Sequence, residues 1–208
     1  VFGWFFKQID SKSGMLRPML NHWNFVDWVT TWKHGYAPET EDAASSINSL
    51  HFAYALKSAA NLMRYMGCVR EADEYTQKSR EIADAVRKNC YDESKGLFMN
   101  YAGAEKSSQH ANIMAILADA IPAEKQRELF EKIISDKSLD QCTFYYRFYL
   151  TEAMRKVGAS DKYADSLDPW RDMLNIGLTT FAETPEPTRS DCHASVSYTH
   201  LRAHATGA

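Results

Sequence analysis

The sequence predicts an all-α fold, an α/α toroid built from antiparallel helix pairs, and three observations carry that expectation. Apolar residues recur at helical spacing over most of the chain. Segments that are apolar nearly all round alternate with segments that carry one apolar stripe. Strand signals are few. A helix that is apolar on every side belongs inside and one with a single stripe belongs outside, so the alternation describes an inner and an outer layer. A solenoid also alternates layers, but it repeats a fixed period with shared residues, and these pairs differ in length and share no consensus.

The first inner helix is expected over residues 41–66, where Ile47, Leu50 and Tyr54 form one stripe and Phe52, Leu56, Ala59, Met63 and Met66 another. Glu41 and Asp42 would sit in its first turn, at the positive end of the dipole, and Gly67 would close it in the left-handed conformation. Residues 69–90 bury Ala72, Tyr75, Ile82, Ala83, Val86 and Cys90 and cover the rest with charge, as an outer helix does. Residues 91–101, YDESKGLFMNY, read as a turn with a short hairpin arm. A small-residue, mostly apolar helix follows over 108–120 and a charged one over 122–135, with Pro122 in the first turn, where a missing N–H costs nothing. A third pair runs over 142–157, closed by Gly158, and over 160–176, where Pro169 must restart or kink the helix.

At 208 residues, 45% hydrophobic and 25% charged, the chain is an ordinary globular sequence with enough material for a real core. A net charge of −3 gives no electrostatic footprint for nucleic acid or an anionic membrane surface. No run approaches the roughly 20 apolar residues of a membrane span. Cys68, Cys90, Cys142 and Cys192 are widely spaced, with no C-x-x-C pair and no accompanying histidine pattern, so free thiols are expected and a zinc site is not. The first residues, VFGWFFKQID, begin without methionine and already in apolar sequence, and they lack a basic leader region. An N-terminal part is therefore expected to precede them, and the compartment stays unknown.

Aromatic residues make up 12% of the chain, and Trp23, Trp28 and Trp32 fall within ten residues. Clustered indoles suit a site that stacks on flat apolar faces. Asp27 beside Trp28 adds a carboxylate able to accept from two hydroxyls, a combination suited to sugar recognition. A core tryptophan with a capping aspartate explains the same residues equally well. Trp32, His34 and Tyr36 follow and would line a rim, and Glu39 reads as a dipole or capping residue of the next helix.

The densest chemistry lies at residues 179–194, TTFAETPEPTRSDCHA. Glu183 follows an apolar approach (Leu178, Phe181, Ala182) and precedes Pro185 and Pro187, which hold the chain extended beside a carboxylate. Catalytic acids and bases are often mounted this way, although most loop acids are simply solvated. Glu186 and Asp191 flank Arg189, either as a structural ion pair or as groups that orient a substrate or base. His193 could orient Glu183, donate to a hydroxyl, or be a satisfied polar residue with no further role.

The run GLTTFAETPEPTRSDCHA, together with WNFVDW at residues 23–28, resembles the catalytic domain of the bacterial α-L-rhamnosidases, inverting glycosidases of the six-hairpin (α/α)6 type. The similarity spans residues 1–194. It implies the C-terminal portion of that domain, with about half of the ring, because six hairpins need twelve helices. It also implies a carbohydrate substrate, a rhamnosylated glycan or glycoside, with Glu183 as general base and Asp27, Trp28 and His193 in the sugar pocket. Inversion requires a second carboxyl group roughly 6.5–9.5 Å from the first. The resemblance puts that acid upstream of Val1, in another part of the same polypeptide, so the fragment alone is expected to be inactive. Asp10, among Lys7, Lys12 and turn residues, is not assigned the role. Chemistry of this kind requires no metal or other cofactor.

The family pattern continues past DCHA with a tryptophan and small residues, and residues 195–208, SVSYTHLRAHATGA, depart from it. The glycosidase domain is thus expected over 1–194, followed by a non-native or disordered tail. The resemblance favours a periplasmic or secreted location. Two other readings stay open: a noncatalytic helical-repeat interaction domain with one concave face, and a six-hairpin glycosidase of other sugar specificity or a sugar-binding relative that has lost catalysis. The enzyme reading expects Glu183, Asp27, Trp28 and His193 to converge on one open end of the helix ring.

Overall fold

The computed structural model describes residues 1–184 and 192–193. The chain forms two compact units, Val1–Gln141 and Cys142–Ala208.

The first unit opens with α1 (Phe2–Lys7), and a long irregular stretch leads from it to α2 (Ser46–Tyr65). A tight turn joins α2 to α3 (Val69–Cys90), and the two helices pack together as a hairpin. The small antiparallel arm β1 (Tyr91–Asp92) and β2 (Leu97–Phe98) follows, with Tyr91 opposite Phe98, then α4 (Gln109–Leu117) and α5 (Ala123–Ser135). Every residue of α4 is buried, whereas α5 buries only Gln126, Leu129, Phe130 and Ile133. The expected alternation of inner and outer helices therefore holds in this unit. α2 is buried along most of its length and surfaces at its end, where Leu62, Tyr65 and Met66 are exposed. Ile47, Leu50, Ile82, Ile113 and Phe130 form the centre of the core, and burial of each such side chain is worth about 1.5–3 kcal/mol.

Capping chemistry explains where the helix boundaries differ from expectation. α2 starts at Ser46, not at residue 41, because Ser45 is extended and its hydroxyl accepts from the Asn48 N–H, satisfying an orphan donor of the first turn. Glu41 and Asp42 consequently lie outside the helix, exposed, and do not serve its dipole. α4 starts just after Ser108, whose hydroxyl accepts from the Ala111 N–H at 3.2 Å. The polar Asn112 within this apolar helix is fully used: its amide donates to Phe98 O, Ser107 Oγ and Ser108 O, and its Oδ1 accepts from the Phe98 N–H. It ties the β-arm to α4. Gly67 adopts φ +80° after α2, as expected of a left-handed cap.

The second unit contains α6 (Arg147–Lys156), two single 3₁₀ turns at Ser160–Lys162 and Asp165–Leu167, and α7 (Asp168–Asn175). Both helices are shorter than their periodic patterns. Residues 144–146 form a turn that buries Phe144 and Tyr146 before α6 begins. Pro169 restarts the helix instead of kinking it: the chain before it makes 3₁₀ turns, and the proline occupies the first turn of α7. Phe144, Trp170, Met173 and Ala182 form the core of this unit, with Leu167, Leu178 and Phe181 packed against it. The Arg147 guanidinium lies 5.3 Å from the centre of the Trp170 ring.

All four cysteines are free thiols. Among the described residues no helix is long and apolar enough to cross a membrane. Glu186, Arg189, Asp191 and the tail 195–208 lie outside the described residues.

Candidate active site

In the first unit, residues 23–36 are largely irregular, and their course is set by pairing around Gly35. Its carbonyl accepts from the N–H groups of Val26 at 2.8 Å and Asp27 at 3.2 Å, and Phe25 forms a bridge with Tyr36. A Cβ at position 35 would stand 2.7 Å from the Phe25 ring and 2.9 Å from the Asp27 carbonyl oxygen, at a φ of +71°. Only glycine permits that approach.

This loop carries Asp27 into a fully buried position. Oδ1 of Asp27 accepts from the Trp28 N–H at 3.0 Å, and Oδ2 lies 2.7 Å from Nε2 of His110, a fully buried residue in the first turn of α4. A carboxylate taken out of water is tolerated only when paired in this way. The Trp32 ring packs on His110 with centroids 4.5 Å apart. The Trp32 indole N–H then donates to Asp140 Oδ2 and the Thr31 hydroxyl to Asp140 Oδ1, each at 3.0 Å. Burial first, and His110 second, push the imidazole of His51 on α2 down to about 4, so it is neutral at pH 7.

The three clustered tryptophans occupy three environments: Trp23 is 72% exposed, Trp28 half-buried and Trp32 only 7% exposed. Phe25 lies between the first two, its centroid 6.0 Å from Trp23 and 4.9 Å from Trp28, and the three rings make one aromatic surface. Trp32, expected at a rim, is mostly core because His110 covers its face and Asp140 takes its N–H. His34 is exposed, and Tyr36 beside it is half-buried. Glu39 precedes α2 by several residues, with the backbone of Ser45, the residue that caps α2, beside its carboxylate. Its Oε1 accepts from the Met19 N–H at 3.0 Å and the Asn24 amide at 3.3 Å, and burial raises its carboxyl above the ordinary range.

In the second unit the site is built from the end of α7. Gly177, at φ +84°, donates its N–H to Leu174 O, and Leu178 donates to Met173 O, which ends the helix and turns the chain back over its own core. Leu178, Phe181 and the fully buried Ala182 anchor the next stretch, and Glu183 follows directly. The His193 N–H donates to Phe181 O at 2.8 Å, which brings the imidazole beside the carboxylate. His193 Nε2 lies 3.5 Å from Glu183 Oε1, with the His193 side chain 36% exposed and that of Glu183 9%. Such a pair can keep the carboxylate oriented while leaving an open side.

The expected residues thus meet as two pairs, Asp27 with Trp28 in the first unit and Glu183 with His193 in the second. Sequence reasoning missed His110, Asp140 and Gly35. A signal for His110 exists, since Ser108, Gln109, His110 and Asn112 are polar residues in an otherwise apolar helix, and buried polar groups need partners. Asp140 offers none, because its contact with Trp32 spans 108 positions. Among the described residues no group of three or more His, Cys, Asp and Glu could hold a metal ion.

The fold has counterparts among solved structures. The chain superposes on a rhamnosidase from Klebsiella oxytoca with rhamnose bound at a TM-score of 0.74 and 20% identity, covering 96% of this chain and 39% of that one. It superposes on a GH78 family rhamnosidase of Bacillus sp. GL1 at a TM-score of 0.75 and 20% identity, covering 95% of this chain and 22% of that one. Identities this low speak for the fold alone, and the chain spans well under half the length of either protein. No curated protein matches the sequence. Over residues 3–200 it matches the bacterial alpha-L-rhamnosidase 6 hairpin glycosidase domain. With the expected all-α six-hairpin fold observed, and the match running over nearly its whole length, the chain belongs to the bacterial α-L-rhamnosidase six-hairpin glycosidase family.

Proposed function

We propose that this domain supplies the general base for inverting hydrolysis of terminal α-L-rhamnosides, and that Glu183 is that base. The observation that carries the reading is the Glu183–His193 pair, a largely buried carboxylate mounted on an anchored stretch with an imidazole 3.5 Å away. In an inverting reaction the base takes a proton from water as its oxygen attacks the anomeric carbon, while an acid on the opposite face protonates the departing oxygen. His193 keeps Glu183 oriented for the first of these tasks. Membership of the family supports the glycosidase class, and the Klebsiella oxytoca protein of the same fold, which holds rhamnose, supports that sugar.

Trp28 serves recognition by offering an aromatic face to the C–H side of a sugar ring. Asp27 acts from behind it, its carboxylate closed to solvent and holding the Trp28 backbone. The acid comes from a part of the polypeptide upstream of residue 1, so the chain alone turns over no substrate. Joined to that part, it should hydrolyse 4-nitrophenyl α-L-rhamnopyranoside with β-rhamnose as the first product seen by proton NMR. Glu183→Gln should then lower kcat by about 10²–10⁴-fold with KM little changed. First appearance of α-rhamnose, or full turnover by the variant, would remove Glu183 from this role.

A further inference from the structure

Two open clefts in the first unit share a wall. One, of about 520 Å³, includes Trp32 and Tyr101 in its lining; the other, of about 410 Å³, adds two lysines and an aspartate; Glu105, Lys106 and Asp140 line both. They are therefore two parts of one groove, and each volume falls within the range of about 300–1,000 Å³ usual for small-molecule sites. Building on the rhamnosidase reading above, we propose that this groove binds a neutral glycan of two or more rings, the class of molecule to which a terminal rhamnose is attached.

Charge argues for a neutral ligand. The groove is lined by three lysines and three acids, a balance that favours neither an anion nor a cation. A polyhydroxylated ring uses both signs, because ammonium groups donate to its oxygens and carboxylates accept from its hydroxyls. The groups are also available: among the described residues the side chains of Tyr101, Glu105 and Lys106 have no hydrogen-bond or ion-pair partner. Asp140 is already oriented, since each of its oxygens accepts one hydrogen bond, from Trp32 or Thr31, and each retains a lone pair for a ligand. The half-buried Tyr101 ring supplies the flat face on which a sugar stacks. The floor is stiff, because the buried Asn100 side chain accepts from the Ser108 hydroxyl at 2.7 Å, so little ordering is needed on binding.

The 208-residue chain is titrated with methyl α-L-rhamnopyranoside, a rhamnose-terminated trisaccharide and maltotriose, with saturation-transfer NMR as the readout. The trisaccharide should bind about tenfold more tightly than the single ring, with saturation reaching all three of its rings. Tyr101→Ala and Lys106→Ala, each checked for folding by circular dichroism, should remove most of that gain and leave methyl rhamnoside binding unchanged. Equal affinities for one ring and three, or equal losses for both ligands in the variants, would overturn the groove while leaving the rhamnoside reading intact. Maltotriose binding that is lost in Tyr101→Ala, without any binding of methyl rhamnoside, would keep the groove and sink the rhamnoside reading. Binding of none of the three sinks the groove.

Discussion

Two carboxylates in this chain stand beside imidazoles and are held in opposite ways. Asp27 lies 2.7 Å from His110, and neither side chain has exposed surface. Glu183 lies 3.5 Å from His193, whose ring is 36% exposed. The first pair joins elements 83 positions apart and fixes a loop to a core helix. The second sits at the end of a stretch anchored by a few apolar residues and by the backbone hydrogen bond from His193 to Phe181. A sealed pair cannot change partners without leaving a polar group stranded in apolar surroundings, so it holds its loop in place. An open pair can exchange its partner for water or a hydroxyl, which chemistry requires.

The contrast breaks most directly on stability. Asp27→Ala leaves His110 buried without its carboxylate and should lower the free energy of unfolding by about 3–5 kcal/mol in urea titrations. In the same assay Glu183→Gln should cost less than about 1 kcal/mol. Equal losses would erase the distinction between scaffold and site.

Acid should open the sealed region first. The folded chain holds the His51 pKa at about 4, against about 6.5 when unfolded, so it resists the charge that the unfolded chain accepts. The stability this contributes is fully present above pH 6.5 and is lost as pH falls toward 4, by on the order of 3 kcal/mol. Glu39, with its carboxyl raised, acts in the other direction, its contribution being lost as pH rises past the usual carboxylate range. The difference between wild-type and His51→Gln stability curves therefore isolates the histidine. Curves that run parallel from pH 6.5 to 4.5 would show that water already reaches His51.

The smallest effect tests the loop that seals the pair. Gly35→Ala puts a methyl group against the Phe25 ring and the Asp27 carbonyl at a left-handed φ, and should cost about 1–3 kcal/mol in thermal unfolding. A neutral result would mean that the loop yields without disturbing Asp27.

What can be read from the sequence follows the range of the interaction. Residues 69–90 declare their helix completely, because a single apolar stripe, charge on the other faces and a glycine just ahead all agree. The start of α2 is misplaced by Glu41 and Asp42, which imitate a first turn; the stronger signal is the hydroxyl of Ser45 three residues before Asn48. Glu183 and His193 are near enough in sequence for their meeting to be anticipated. The burial of Asp27 is not, because its partner lies on another helix and no local pattern encodes that distance. Trp32 shows the same limit: an indole at a rim and an indole in a core look identical until the acid that takes its N–H is found.

The hydrogen bonds from Thr31 and Trp32 to Asp140 also have a consequence in time. They close a loop of more than one hundred residues for two bonds, a poor exchange of entropy for enthalpy unless the intervening helices already stand. On a ribosome, which delivers the N-terminal side first, the segment that carries Trp23, Phe25 and Trp28 emerges long before the residue that locks it. The newborn chain must therefore carry this tryptophan-bearing stretch unfastened while more than one hundred further residues are made, and chaperones have an opportunity there.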